Sequence, residues 1–112
     1  MADQSIVDIV RTYLKAANQA GIRASRGVLF GSWARGEARL DSDIDLVIIA
    51  PEFDGHLNRE LVSRLWELQA FTDWRIEPIP CGERQWLEDD TSPMIEIARR
   101  EGEVITLIPE PA

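Results

Sequence analysis

The sequence predicts an α/β (α+β) chain: a short mixed β-sheet of about four strands flanked by helices. Three observations predict it. Apolar residues recur at spacings of three and four near the N-terminus, in the middle and toward the C-terminus, which is the helical period. Short apolar runs between those segments read as buried strands. The two kinds of segment alternate in the order α-β-α-β-α-β-α-β, the pattern of helices layered on a sheet. The 112 residues are one domain's worth, so residues 1–112 are expected to form a single domain around one modest core.

The first helix spans about Ser5 to Ala20, with Ile6, Ile9, Val10, Tyr13, Leu14 and Ala17 on its apolar face. Ser5 or Asp3 can cap it and Gly21 is a natural stop. Val28 to Phe30 form a first strand ending at Gly31-Ser32. Ser32 to about Glu37 reads as a short helical turn, and Arg39 to Ser42 as a polar loop. Asp43 opens a second strand, Ile44 to Ile49, closed by Ala50-Pro51. Its nearly continuous apolar run predicts a strand covered on both faces.

Pro51 to Leu57 is a loop. Asn58 can cap a helix to about Phe71 that turns Leu61, Leu65, Trp66 and Leu68 toward the core. The third strand, about Trp74 to Pro80, carries two prolines, which places it at an edge or interrupts it. Glu83 to Leu87 reads as a helical turn. Ser92-Pro93 starts a helix with Ser as cap and Pro in the first turn. Met94, Ile95, Ile97 and Ala98 form its inner face, Arg99 and Arg100 suit the negative end of its dipole, and Gly102 ends it. Val104 to Ile108 is the last strand, before a Pro-rich tail.

Charge narrows the function. Lys and Arg total 12 against 20 Asp and Glu, a net charge of −8, and Lys15 is the sole lysine. Gripping nucleic acid through its phosphates calls for a basic face, so no direct nucleic-acid partner is expected. Cations and cationic partners remain compatible. The single cysteine, Cys81, cannot form an internal disulfide, and a reducing compartment, the cytoplasm, is the simplest reading. Cys81 reads as a small, half-buried residue after a strand. The single histidine, His56, reads as a solvated loop residue and excludes a multi-histidine zinc site. Met1 to Asp8 show no signal-peptide pattern, and Leu46 to Ala50, the longest aliphatic run, is far too short to span a bilayer.

One stretch carries chemistry: Gly31-Ser32-Trp33-Ala34-Arg35-Gly36, then Asp41-Ser42-Asp43-Ile44-Asp45-Leu46. Gly31 and Ser32 lie where a buried strand meets a helix N-terminus, whose N–H groups and dipole favour a phosphate. Gly31 has no side chain, so a ligand can approach the backbone. Asp43 and Asp45, two apart on a strand, point to one face. Paired carboxylates repel unless a proton or a cation intervenes, and oxygen ligands suit magnesium or manganese.

These residues resemble the signature of the nucleotidyltransferase superfamily related to DNA polymerase beta: Gly-Ser, ten residues, Asp-x-Asp. Gly31, Ser32, Asp43 and Asp45 match it completely. The wider form, Gly-Ser-x-Ala-Arg-Gly followed by Ser-Asp-Ile-Asp-Leu, looks like the minimal nucleotidyltransferase (MNT) family. That resemblance implies a third carboxylate on a later strand, and Glu77 is the matching position, where the family more often has Asp.

The implied reaction moves a nucleoside monophosphate, AMP from ATP, onto a hydroxyl. Asp43, Asp45 and Glu77 would hold Mg²⁺ or Mn²⁺, with Glu77 helping to deprotonate the acceptor. Gly31 and Ser32 would hold the β and γ phosphates. Arg35 and Arg39 are candidates to steady the triphosphate, or else to pair with Glu37 or Asp41 at the surface. Trp33 reads as packing rather than a base-stacking ring. Trp66, Trp74 and Trp86 read as core or interface residues, and Glu88-Asp89-Asp90 as a solvated loop.

Larger relatives carry a second, mostly helical domain, so a nucleotide bound here would be half exposed unless another subunit covers it. MNT proteins pair with small helical HEPN-type partners as antitoxin and toxin, and some transfer AMP onto that partner. The resemblance therefore implies an antitoxin of a type VII-like toxin–antitoxin pair, with a partner-protein hydroxyl as acceptor. The alternative is a non-catalytic, nucleotide- or protein-binding module that neutralises its partner by contact. An aminoglycoside-modifying nucleotidyltransferase suits the charge but not the length.

Overall fold

The computed structural model describes residues 3–89 and 91–107. Helix α1, Gln4–Gln19, starts at Asp3, whose carboxylate accepts from the Ser5 N–H at 2.9 Å; of the two possible caps, Asp3 is the one used. Strand β1 is Arg26–Phe30, and α2, Ser32–Arg35, is a single turn. Strand β2, Ile44–Ile49, leads through a 3-10 turn, Pro51–Phe53, to α3, Arg59–Phe71, capped by Asn58. Strand β3, Ile76–Cys81, is followed by α4, Glu83–Glu88, then α5, Pro93–Glu101, and β4, Glu103–Thr106. Ile108 and the Pro-rich tail lie outside the described residues, as does Asp90 of the acidic run.

The sheet order is β3-β2-β1-β4, and it is mixed as the sequence predicts. β1 pairs antiparallel with β2 and β4, while β2 and β3 run parallel. The prolines of β3 fit because it is an edge. The Arg75 and Cys81 carbonyls accept from the Ile44 and Ala50 N–H groups, so odd-numbered residues face β2. The nitrogens of Pro78 and Pro80 therefore face outward, where a missing donor breaks no ladder bond.

Both faces of β2 are covered. Leu46 and Ile48 pack under α1 and α3 with Val10, Leu14 and Leu65. Val47 and Ile49 pack on the other face with Val28, Phe30, Ile95 and Ala98. Burying one such aliphatic side chain is worth about 1.5–3 kcal/mol, against about 0–1 kcal/mol for an exposed ion pair. Packing of the two faces therefore holds the layers. Polar contacts then orient them: the buried Tyr13 hydroxyl donates to the Leu65 carbonyl at 2.7 Å, and Arg64 donates to the Ala20 carbonyl at 2.8 Å, closing the end of α1.

Several expectations are corrected. β1 begins two residues before the apolar run, because Arg26 and Gly27 pair with Ile49 and Ile48 of β2 and with Thr106 and Ile105 of β4; Gly27 lies under α1, where a Cβ would sit 3.1 Å from Leu46 and 3.4 Å from Val10. β3 begins at Ile76 rather than Trp74, and Cys81 is its fully buried last residue rather than a half-buried one beyond it. Trp66 and Trp74 are 46% and 65% exposed, so neither is a core residue. On α5 only Ile95 and Ala98 are buried; Met94 and Ile97 remain 49% and 37% exposed. All four are left partly open to solvent. Among the described residues, no helix is long and apolar enough to cross a membrane.

Candidate functional site

Two different strand pairings build the site. The antiparallel pairing of β1 with β2 sets the end of one beside the start of the other, with Phe30 opposite Asp45. The parallel pairing of β2 with β3 sets the two starts together, with Asp45 beside Glu77. Gly31, Asp43, Asp45 and Glu77, spread over 47 positions from 31 to 77, thereby meet at one end of the sheet.

Gly31 is the cap of α2 and has φ of 76°, in the left-handed region. A Cβ built there would collide with the Asp45 carboxylate. The close approach that the sequence analysis assigned to a ligand is, in the structure, made by Asp45. Ser32 is the first residue of α2, and its carbonyl accepts from the Glu37 N–H at 2.9 Å, closing the turn.

Asp43 is exposed; Asp45 and Glu77 are half-buried. Burial pushes the Asp45 pKa up, and the charge of Asp43 adds to it, while a hydrogen bond from Glu77 and the charge of Arg35 oppose. Glu77 is also raised, by burial first, then by the charges of Asp43 and Asp45 and by its hydrogen bonds to both. The three groups form one coupled acidic cluster in which Asp45 and Glu77 hold their protons more tightly than free carboxyls do.

The donor set fits a hard divalent cation by its chemistry, being three carboxylates and no soft ligand. Its present arrangement is carboxyl against carboxyl. Among the described residues, no three His, Cys, Asp or Glu side chains are disposed to hold a metal ion.

Arg35 pairs with Glu37 at 3.2 Å and with Glu101 at 3.8 Å, so its surface-pair reading holds for Glu37, while its charge still reaches Asp45. Arg39 is not brought to the carboxylates by any described contact; its amide donates to Ser42 Oγ at 2.8 Å in an exposed turn. His56 is exposed in its loop. Asp89 accepts from the Thr91 N–H and Oγ–H at 2.8 and 2.7 Å, so this member of the acidic run shapes a turn. A cavity of about 610 Å³ lies at the far end of the sheet, bordered by Phe53, Pro80 and Arg84, and includes none of Asp43, Asp45 and Glu77.

Two residues emerge that the sequence analysis did not place in the site. Trp33 packs against the core, as read, but its Nε1–H also donates to the Ser42 carbonyl at 3.1 Å. Arg75 stacks over the Trp33 ring at 5.6 Å and donates to the Leu40 carbonyl at 2.7 Å. A signal was present: Asp73, Arg75 and Glu77 alternate along one stretch.

Residues 7–101 match the model of the nucleotidyltransferase domain family. That range holds every candidate site residue. No curated protein matches the chain. The fold is similar to the crystal structure of a Sulfolobus solfataricus protein named as a candidate nucleotidyltransferase. The TM-score is 0.52 at 19% identity, over 70% of this chain and 68% of that one.

Proposed function

The chain belongs to the nucleotidyltransferase domain family, and from that premise we propose that it transfers AMP from ATP to a hydroxyl of a partner protein. In this reading it acts in the cytoplasm as the antitoxin of a small helical HEPN-type toxin. One observation carries the choice of active site: Asp43, Asp45 and Glu77 gather beside the Gly31-Ser32 turn at a single end of the sheet.

Asp43, Asp45 and Glu77 would hold Mg²⁺ or Mn²⁺. A divalent cation there supplies charge neutralisation and lowers the pKa of a bound hydroxyl. The turn into α2 receives the β and γ phosphates through backbone N–H groups at Gly31 and Ser32. The acceptor oxygen forms a bond to the α-phosphorus as the bond to the β-phosphate oxygen breaks, and pyrophosphate leaves. Glu77, once ionised, takes the acceptor's proton; its raised affinity for protons suits a base. Arg35, one helical turn from Ser32, can exchange its exposed pair with Glu37 for the triphosphate. Asp43 is exposed to solvent, so the acceptor's own surface closes that side of the site.

The test is to incubate the purified chain with ATP, Mg²⁺ and the product of its neighbouring gene, and to read added AMP by mass spectrometry. The Asp43→Asn, Asp45→Asn double variant should abolish labelling while remaining folded. Undiminished labelling by that variant would remove the carboxylates from the mechanism. The alternative reading is neutralisation by contact without catalysis. Full protection of cells from the partner by the double variant would establish that reading instead.

A further inference from the structure

Asp43 lies just outside the sheet, since β2 begins at Ile44. The ladder therefore fixes the residue after it and leaves the turn before it to other contacts. Arg75 supplies contacts on both sides. Its backbone carbonyl accepts from the Ile44 N–H at 2.7 Å, and its Nη1 donates to the Leu40 carbonyl at 2.7 Å. Residues 40 and 44, which straddle Asp43, are thus both bonded to Arg75.

The guanidinium is itself pinned. Nε and Nη2 donate to the two carboxylate oxygens of Asp73 at 3.0 and 2.8 Å, and the plane rests over Trp33. Trp33 grips the same turn a second time through the Ser42 carbonyl. Within the turn, the Arg39 N–H donates to Ser42 Oγ at 2.8 Å and the Ser42 N–H donates to the Arg39 carbonyl at 3.0 Å. Trp33 follows Ser32 directly, and Arg75 precedes Glu77 by two residues. One clasp therefore joins the phosphate turn, the Asp-x-Asp turn and the strand of the third carboxylate.

We propose that Arg75 is a positioning residue for this site: braced by Asp73 and Trp33, it holds the 39–42 turn and so aims Asp43 at Asp45 and Glu77. The role needs a planar fork that bonds a carboxylate and a carbonyl at once while lying flat on a ring. Lysine, a point charge with one nitrogen, cannot reproduce it. The proposal rests on reading this end of the sheet as the active site.

The experiment compares the full chain with Arg75→Gln and Arg75→Lys, by amide hydrogen exchange and by AMP-transfer kinetics. In both variants, exchange at the Arg39 and Ser42 amides should rise about tenfold or more while the β1 and β2 amides keep their rates, a local opening. Transfer kcat should fall about 10–100-fold, the usual loss on removing a supporting residue, with KM for ATP within about threefold. Unchanged exchange in the turn overturns the proposal. So does a rise that includes β1 and β2, which marks general loosening, and so does full recovery of kcat by lysine, which marks a charge effect. Should Arg75→Gln not fold, Arg75→Lys carries the same comparison. If the unaltered chain transfers nothing, the functional reading falls, while exchange at the two amides still decides whether Arg75 holds the turn.

Discussion

The missing side chain of Gly31 is the space that the Asp45 carboxylate occupies. Gly31 caps α2 with φ of 76°, and any Cβ there would overlap the Asp45 side chain. Gly31→Ala thus faces two penalties, the left-handed backbone and the collision. Strain of this kind costs about 1–3 kcal/mol, and relief requires Asp45 to leave its place beside Glu77. Urea unfolding should show the loss of stability, and AMP transfer should fall with it. A variant of unchanged stability and unchanged transfer would show that the turn is not under this constraint.

The carboxylate cluster should make stability fall as pH rises. Asp45 and Glu77 have pKa values above their ordinary values of 3.8 and 4.5. The folded chain then binds protons more tightly than the unfolded chain. With more protons on the folded state, the slope of unfolding free energy with pH is negative. This contribution is fully present below pH about 4 and is lost as pH rises through the raised values. Urea midpoints measured against pH in EDTA should decline across that window. The Asp45→Asn, Glu77→Gln variant should lack this part of the decline, and an identical slope in the variant would refute the coupling.

Asp73 should act in the opposite sense. Its hydrogen bonds from Arg75 hold its pKa below 3.8. That contribution is present above pH about 4 and is lost as pH falls through the depressed value. Asp73→Asn should therefore lower stability at pH 7 and converge on the unaltered chain in acid. Equal midpoints at pH 7 would indicate that the Asp73–Arg75 pair contributes nothing net.

Cys81 should be chemically silent in the folded chain. It is fully buried at the end of β3, and burial pushes its thiol up to about 11. At pH 8 only about a thousandth of such a thiol is ionised, and the thiolate is the reactive form. Labelling by iodoacetamide should be slow in buffer and fast in urea. Fast labelling of the folded chain would place Cys81 nearer the surface.

Tyr13→Phe should cost about 0.5–1.5 kcal/mol by removing the bond to the Leu65 carbonyl that ties α1 to α3. Denaturant unfolding measures it. The residue is buried between α1 and α3 and its hydroxyl bonds α3, so transfer activity should not change. No loss of stability would mean that the pairing of the two helices is set by apolar contact alone.

Much of this molecule is legible without coordinates, and the legible parts are local. The helical period around Ile6, Val10 and Leu14 describes α1 because neighbours on a helix face are near in sequence. Leu46 to Ile49 describe a doubly covered strand for a similar reason. The Gly31-Ser32 and Asp43-Asp45 pairs lie within fifteen residues of one another, and the turn between them is short enough for the motif to be read directly. Glu77 could be assigned only by resemblance.

The sequence by itself determined the class of fold, the order of elements and the Gly-Ser and Asp-x-Asp pairs of the candidate site, and the prolines limited β3 to an edge or an interruption. Tertiary structure alone decided which side chains these elements leave uncovered. A helical period shows that a face is apolar and not how wide a neighbour covers it, so Trp66, Met94 and Ile97 proved exposed. It also decided what fills the space at Gly31 and what holds the turn before Asp43. Those contacts join residues 33, 40 and 75 across two strand pairings. No local pattern encodes such a meeting, because it exists only when the sheet has closed.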